Sequence, residues 1–414
     1  MRAIFSVTAL VAVGALATGS LATGSPGFGP VRTPPPDVQT IESPAGAGSA
    51  EGNLTVGPDG RVYLSWLEPA PDSAMALRFA AYDGTRWSAT QTISSGRNMF
   101  VNWADFPSLA VLANGRLAAH WLQRHGPTAY AYDVRITTSA DAGRTWGTPL
   151  VPHEDRSATE KGFVAFWPEG GAFGATWLDA RKADKAGKAP MQEMQLFSTT
   201  IDASGRAAPE TRLDDRVCDC CQTTAAVTAD GPIVAYRDRT TDEIRDIYTV
   251  RRVSGRWTVP ARVHADNWTI NACPVNGPHV SANGRRVALA WYTGANSAPR
   301  VKVAFSSDAG ATFGAPITVD EGNPAGRVAT ALLADGSVLV SWLERTGGDT
   351  ASVRVRRVRE SGAGPAVTVT ASSAARASGF PRMARSGDRV YFAWTVPGRP
   401  SAVRVARANA ADFR

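Results

Sequence analysis

The chain has 414 residues, 43% hydrophobic and 20% charged, a balance that excludes wholesale disorder. Its net charge of +7 rests on arginine, since lysine occurs only at 161, 182, 185, 188 and 302. These charges are scattered rather than striped, which argues against nucleic acid as a partner; an Arg fork also matches carboxylates.

The first residues read as an export leader. Met1-Arg2 supplies the positive start, Ala3 to Ala17 is apolar and uncharged, and small residues follow at Ala15-Leu16-Ala17 and Ser20-Leu21-Ala22. That pattern predicts a signal peptide over 1–22 and a secreted or periplasmic destination. The apolar run is short for a membrane span and no later stretch reaches 18 apolar residues, so no membrane insertion is expected. A Pro- and Gly-rich lead-in is expected over 23–37, and one domain over 38–414.

Within 38–414 one pattern recurs: an apolar stretch, a Gly turn, then a strand ending in an aromatic. It runs from Asn53 through Gly60 to Trp66, and again from Pro107 through Gly115 to Trp121. Later copies end at Trp177, Tyr236, Trp291, Trp342 and Trp394, with spacings of 55, 56, 59, 55, 51 and 52. Each unit has room for four short strands, in the first near 53–56, 61–67, 76–82 and 87–93. Alternation is plain in Val301-Lys302-Val303-Ala304-Phe305. A lone four-stranded sheet cannot bury both faces, so repeats of this length predict an all-β propeller of stacked antiparallel blades. The count is seven, with six as the alternative. The last unit has room for only three strands, and Val38-Gln39-Thr40-Ile41 is expected to supply the fourth and close the ring.

Two turns carry a further motif: Ser139-Ala140-Asp141-Ala142-Gly143-Arg144-Thr145-Trp146 and Ser306-Ser307-Asp308-Ala309-Gly310-Ala311-Thr312-Phe313. Both resemble the Asp-box, or bacterial-neuraminidase, repeat of the sialidase superfamily. Locally the motif is a folding device, in which short polar side chains bond turn amides. The resemblance implies glycosidase chemistry: three Arg clamping a substrate carboxylate, a Tyr–Glu nucleophile pair and an Asp acid/base. The chain departs from the family in lacking the F-R-I-P tetrapeptide near the first Arg; Gly379-Phe380-Pro381-Arg382 has similar letters in another order and at the other end. Sialidases also close with six blades.

In a propeller the blade-to-blade connections and the second-to-third strand loops share one face. The loop after Trp177 offers Asp179, Arg181, Lys182, Asp184 and Lys185, and the loop after Tyr236 offers Arg237, Asp238, Arg239, Asp242, Glu243, Arg245 and Asp246. Asp179, Arg181, Arg237, Arg239, Glu243, Arg245 and Arg327 are the candidate contacts for an acidic glycan or other anionic ligand. Asp238 or Asp246 is the candidate acid/base and Tyr292 the candidate hydroxyl nucleophile. The alternative is a network of surface ion pairs, each of small worth.

The four cysteines, Cys218, Cys220, Cys221 and Cys273, fall in two neighbouring connections. An exported chain with an even count favours disulfides, and a link from the first loop to Cys273 would staple blades four and five. The alternative is a soft metal held by the thiolates with His279, although the common paired zinc spacing is absent. No cofactor and no metal site are expected. Three functions follow: an exo-sialidase-like glycoside hydrolase, a non-catalytic propeller for glycans or a protein partner, and a metal or redox propeller.

Overall fold

Short runs of alternating residues bounded by Gly, Asp and Asn turns form strands almost throughout, as the spacing predicts. The computed structural model describes residues 36–183 and 193–414. The expected export leader and nearly all of the lead-in lie outside the described residues, as do Asp184 and Lys185. No described helix is long and apolar enough to cross a membrane.

The strands assemble into seven antiparallel blades. The first is Ala50–Val56, Val62–Ala70, Ala74–Tyr82 and Gln91–Gly96. The second has Ser108–Val111, Leu117–Arg124 and Tyr132–Ser139, and its outer edge is a single bridge between Ile136 and Leu150. Pro149 and Pro152 flank Leu150 and cannot donate to a ladder, which holds that edge to one pair. The third comprises Lys161–Glu169, Ala172–Asp179, Met194–Ile201 and Thr211–Val217. The fourth comprises Thr224–Thr228, Gly231–Arg237 and Ile247–Val253, with an outer edge split into Arg256–Trp257 and Ala261–Arg262 around Pro260. The fifth runs from His279–Asn283 to Ile317–Thr318, and the sixth from Pro324–Leu332 to Gly362–Ser373.

The seventh blade has three strands from its own unit, Arg382–Ser386, Arg389–Val396 and Ala402–Asn409. Its fourth is Gln39–Ile41, which pairs Gln39 with Arg407, Thr40 with Ala406 and Ile41 with Val405. The N-terminal closing strand is therefore in place, and the count is seven rather than six.

The recurring aromatic lies on the second strand of every blade and packs against the blade before it. Trp66 clusters with Tyr391, Ala393 and Val403 of the seventh blade, which closes the ring. Trp121 packs on the first blade, Trp177 on the second and Tyr236 on the third. Trp291, Trp342 and Trp394 continue the series onto the fourth, fifth and sixth. Burying such a ring contributes about 3 kcal/mol of transfer free energy, so the repeat spacing records the interfaces between blades. The ring's polar hydrogen also needs an acceptor. Trp66 donates to Glu68 at 2.7 Å, Trp342 to Glu344 at 2.5 Å, Trp291 to Asp266 at 2.6 Å, Trp177 to Asp179 at 3.4 Å, and Tyr236 Oη to Asp214 at 2.5 Å.

The two S-x-D-x-G-x-T turns follow the third strands of blades two and five, on the face away from the blade connections. In the first, the Gly143 amide donates to Ser139 Oγ at 2.8 Å, and Asp141 accepts from the Thr145 amide at 2.9 Å and its hydroxyl at 2.7 Å. Ser306, Asp308, Gly310 and Thr312 repeat the pattern.

Candidate functional site

A cavity of about 270 Å³ lies on the axis, lined by residues from the first strand of every blade. Around it the blade connections are stitched together by two amides. Gln222 donates to Ala104 O at 2.7 Å and accepts from the Gly277 amide at 2.9 Å. Asn276 accepts the Arg327 amide at 2.7 Å and donates to Ala325 O at 3.3 Å. Gly326 sits at φ +84°, and a Cβ there would overlap the Asn276 carboxamide, so the turn requires glycine.

The arginines of the fourth-blade loop converge, as the topology implies, and each already has partners. Arg237 is buried and donates to Asn276 O at 3.0 and 2.8 Å, to Tyr292 O at 2.6 Å and to Arg245 O, with its guanidinium 4.9 Å over the Trp268 ring. Arg239 grips Glu243 at 2.9 Å. Arg245 is fully buried between Asp219 at 3.1 Å and Glu243 at 2.9 Å. Burial would raise the Glu243 carboxyl, but bonds from Arg239 and Arg245 hold it below the usual range. Asp246 accepts the Asn267 and Trp268 amides at 3.0 and 3.1 Å. Asp238 is pushed up to about 7, first by burial and then by neighbouring Asp214. Tyr292 is half-buried, edge-on to Trp268 at 5.6 Å, and burial raises its hydroxyl.

Arg327 joins this belt through Asn276. Its guanidinium donates to Ser378 Oγ and Gly379 O at 2.7 Å and to Ala374 O and Ala375 O at 3.1 and 3.2 Å. Asp179 and Arg181 stand apart on the third blade. Asp179 accepts from Trp177 and Arg181, and Arg181 also pairs with Glu210 and lies 3.8 Å over Phe197. The sequence grouped them with the fourth-blade loop, but no hydrogen bond joins the two sets among the described residues.

Of the four cysteines, Cys220 and Cys273 form a disulfide that ties the third-to-fourth connection to the fourth-to-fifth. The expectation that all four are bonded is met for this pair. Cys218 and Cys221 are buried thiols with their sulfurs 2.6 Å apart. His279 turns away from them: its Nδ1 accepts the Thr330 amide at 3.1 Å.

Several groups in and beside the cavity were not among the candidate site residues read from the sequence. Arg382 lines it, 5.0 Å over the Phe106 ring, and its guanidinium makes no hydrogen bond or ion pair among the described residues. Desolvation alone lowers its pKa to about 10. Asp105 lines the same cavity, accepts the Phe163 amide at 2.7 Å and contacts Tyr132 Oη at 3.2 Å. Tyr132 in turn donates to Glu160 at 2.6 Å. Burial raises Asp105 to about 7 and Glu160 to about 8. Glu51, raised to about 8 by burial, has an Oε2 atom without a hydrogen-bond partner. A cluster of aromatics stands beside them: Trp103 stacks on Phe380 at 5.8 Å, and Phe106 lies 5.6 Å from Phe380.

Several solved structures are similar to the chain. A protein of unknown function from Dyadobacter fermentans is 15% identical, with 91% of this chain and 98% of that chain covered and a TM-score of 0.51. A sialidase from Streptococcus pneumoniae is 9% identical over 91% of this chain and 95% of that one, TM-score 0.46. An ulvan lyase is 15% identical over 76% and 80%, TM-score 0.47. No family model and no curated protein matches the chain.

Proposed function

We propose that this chain is an exported, sialidase-like propeller that binds the anionic group of a glycan in its axial cavity. One observation carries the reading: Arg382 is a desolvated guanidinium that faces the cavity with no acidic partner. A partly desolvated cation without a counterion gains by pairing with an anion, and a carboxylate or sulfate matches its fork. The Trp103–Phe380–Phe106 cluster offers apolar faces beside it for a sugar ring. The fourth-blade loop, with Asp238, Glu243 and its arginines, forms the rim on the same face. The two Asp-box-like turns and the apolar leader support the superfamily and export parts of the proposal. A glycan array on the full chain tests it. Carboxylated or sulfated oligosaccharides should be retained over neutral counterparts, and Arg382→Gln should lose that preference. Equal binding of neutral and acidic sugars would refute the proposal.

Asp105 favours a second, catalytic reading. With its pKa about 7 in the cavity wall, it is poised as a general acid near neutral pH. The Tyr132 hydroxyl and Glu160 behind it form a hydrogen-bonded relay for the proton. Asp238, also near 7, is the corresponding acid of the rim. Release of a fluorogenic aglycone from a sialoside or uronide, abolished in Asp105→Asn and retained in Asp238→Asn, would assign the acid to the cavity. No turnover across a broad glycoside panel leaves binding alone.

A further inference from the structure

The two free thiols of the Cys218-Asp219-Cys220-Cys221 segment are used by nothing described so far. Cys218 and Cys221 are both buried, and their sulfurs stand 2.6 Å apart. That is closer than separate thiols rest and about 0.5 Å beyond a disulfide bond. A third sulfur adjoins them, since Cys218 Sγ lies 3.9 Å from Cys220 Sγ, which is itself bonded to Cys273. The four sulfurs thus form one chain, from buried Cys221 through Cys218 and Cys220 to Cys273, whose residue is exposed.

We propose that Cys218 and Cys221 are a redox-active dithiol that exchanges with the Cys220–Cys273 disulfide and delivers its reducing equivalents to the exposed Cys273. In the first step the Cys218 thiolate attacks Cys220 Sγ. A Cys218–Cys220 bond forms, the Cys220–Cys273 bond breaks, and Cys273 leaves as a thiolate that takes up the proton Cys218 released. In the second step Cys221 gives up its proton and attacks Cys218 Sγ. A Cys218–Cys221 bond forms, and Cys220 leaves as a thiolate and is protonated. Two thiols and one disulfide enter and two thiols and one disulfide result, so no outside oxidant is needed.

The surroundings assign the order of attack. Arg245, fully buried, donates an N–H to Cys218 Sγ at 3.4 Å. Burial would raise the Cys218 thiol, but the Cys221 hydrogen bond and Arg245 bring it below its ordinary value, while burial and the Cys218 charge push Cys221 up. Arg245 beside Cys218 makes it the more readily ionised of the two thiols and Cys221 the one that holds its proton longer, the order that exchange chemistry requires. After exchange the staple between the two connections is open and Cys273 presents a free thiol to a disulfide-bearing partner. This inference does not depend on the glycan reading.

The test uses the full chain brought to its fully oxidised form and then given one equivalent of a dithiol reductant. Samples are acid-quenched over time, alkylated and mapped by mass spectrometry. Exchange predicts label on both the Cys218/Cys221 and Cys220/Cys273 pairs, settling to a constant ratio. It also predicts a Cys218–Cys220 species in Cys221→Ser and background label on Cys273 in Cys218→Ser. Label confined at all times to one pair in the unmodified chain overturns the proposal, and that readout needs no variant to fold. Undiminished Cys273 labelling in Cys218→Ser overturns it as well.

Discussion

Glu160 ties stability to pH, and the size of the effect follows from its surroundings. The carboxyl is held at about 8, against an ordinary value of 4.5, because burial outweighs the lowering effect of the Tyr132 hydrogen bond and Asp105 and Asp219 add like charge. The folded chain therefore binds a proton more tightly than the unfolded chain. The associated stability is fully present below about pH 4.5, declines as pH rises, and is wholly lost once pH passes about 8. At about 1.4 kcal/mol per pH unit over that interval, the ceiling is about 5 kcal/mol. Glu160→Gln keeps an acceptor for the Tyr132 hydroxyl but has no charge to bury. Urea unfolding followed by tryptophan fluorescence should show the variant near wild type at pH 5 and more stable by several kcal/mol at pH 8.5. Asp105 and Glu51 titrate in the same direction, so part of the slope survives. A variant with the full wild-type slope would refute the reasoning.

Trp342→Ala should cost about 3–5 kcal/mol by emptying the interface between blades five and six, measurable as a fall in urea midpoint. Its indole acceptor gives a finer test: Glu344→Leu should cost about 1–3 kcal/mol by leaving the indole N–H unsatisfied, while Glu344→Gln should cost less. Gly162→Ala should destabilise the chain and shift the titration of Asp105, because a Cβ there would overlap the Asp105 carboxyl and press on the Tyr132 ring; difference infrared spectroscopy of the carboxyl band reads the shift. Thr40→Pro should weaken the pairing of Gln39–Ile41 with Ala402–Asn409, seen as faster proteolysis ahead of the first blade.

The blade count was readable because each interface demands one large ring, and Trp66 through Trp394 supply it at the same strand position. The closing strand was readable as a deficit, since the unit whose last strand is Ala402–Asn409 lacks a partner that Gln39–Ile41 provides. The axial site was much less so. An Arg in a loop looks alike whether its fork is free or filled, and the acceptors that fill Arg237 and Arg327 are backbone carbonyls of distant connections. Arg382 entered the sequence reading only within the out-of-order Gly379-Phe380-Pro381-Arg382 tetrapeptide, and only the fold shows that it lines the cavity beside Phe106 without a counterion. Asp105, Tyr132 and Glu160 belong to three separate segments, with nothing local to mark them as a set. The cysteine loops were the most informative part of the site in the sequence. Even there, spacing left open which sulfur joins Cys273.

The borrowed strand of the last blade also sets an order of events. Gln39–Ile41 emerges during synthesis long before Ala402–Asn409, and until that hairpin arrives it has nothing to pair with. The first and seventh blades each lack a neighbour until the same moment, so Trp66 stays uncovered. Completion of the ring is thus postponed to the final segment of the propeller. A product cut short before Val405 would expose two raw edges and one large indole together, a ready signal for degradation.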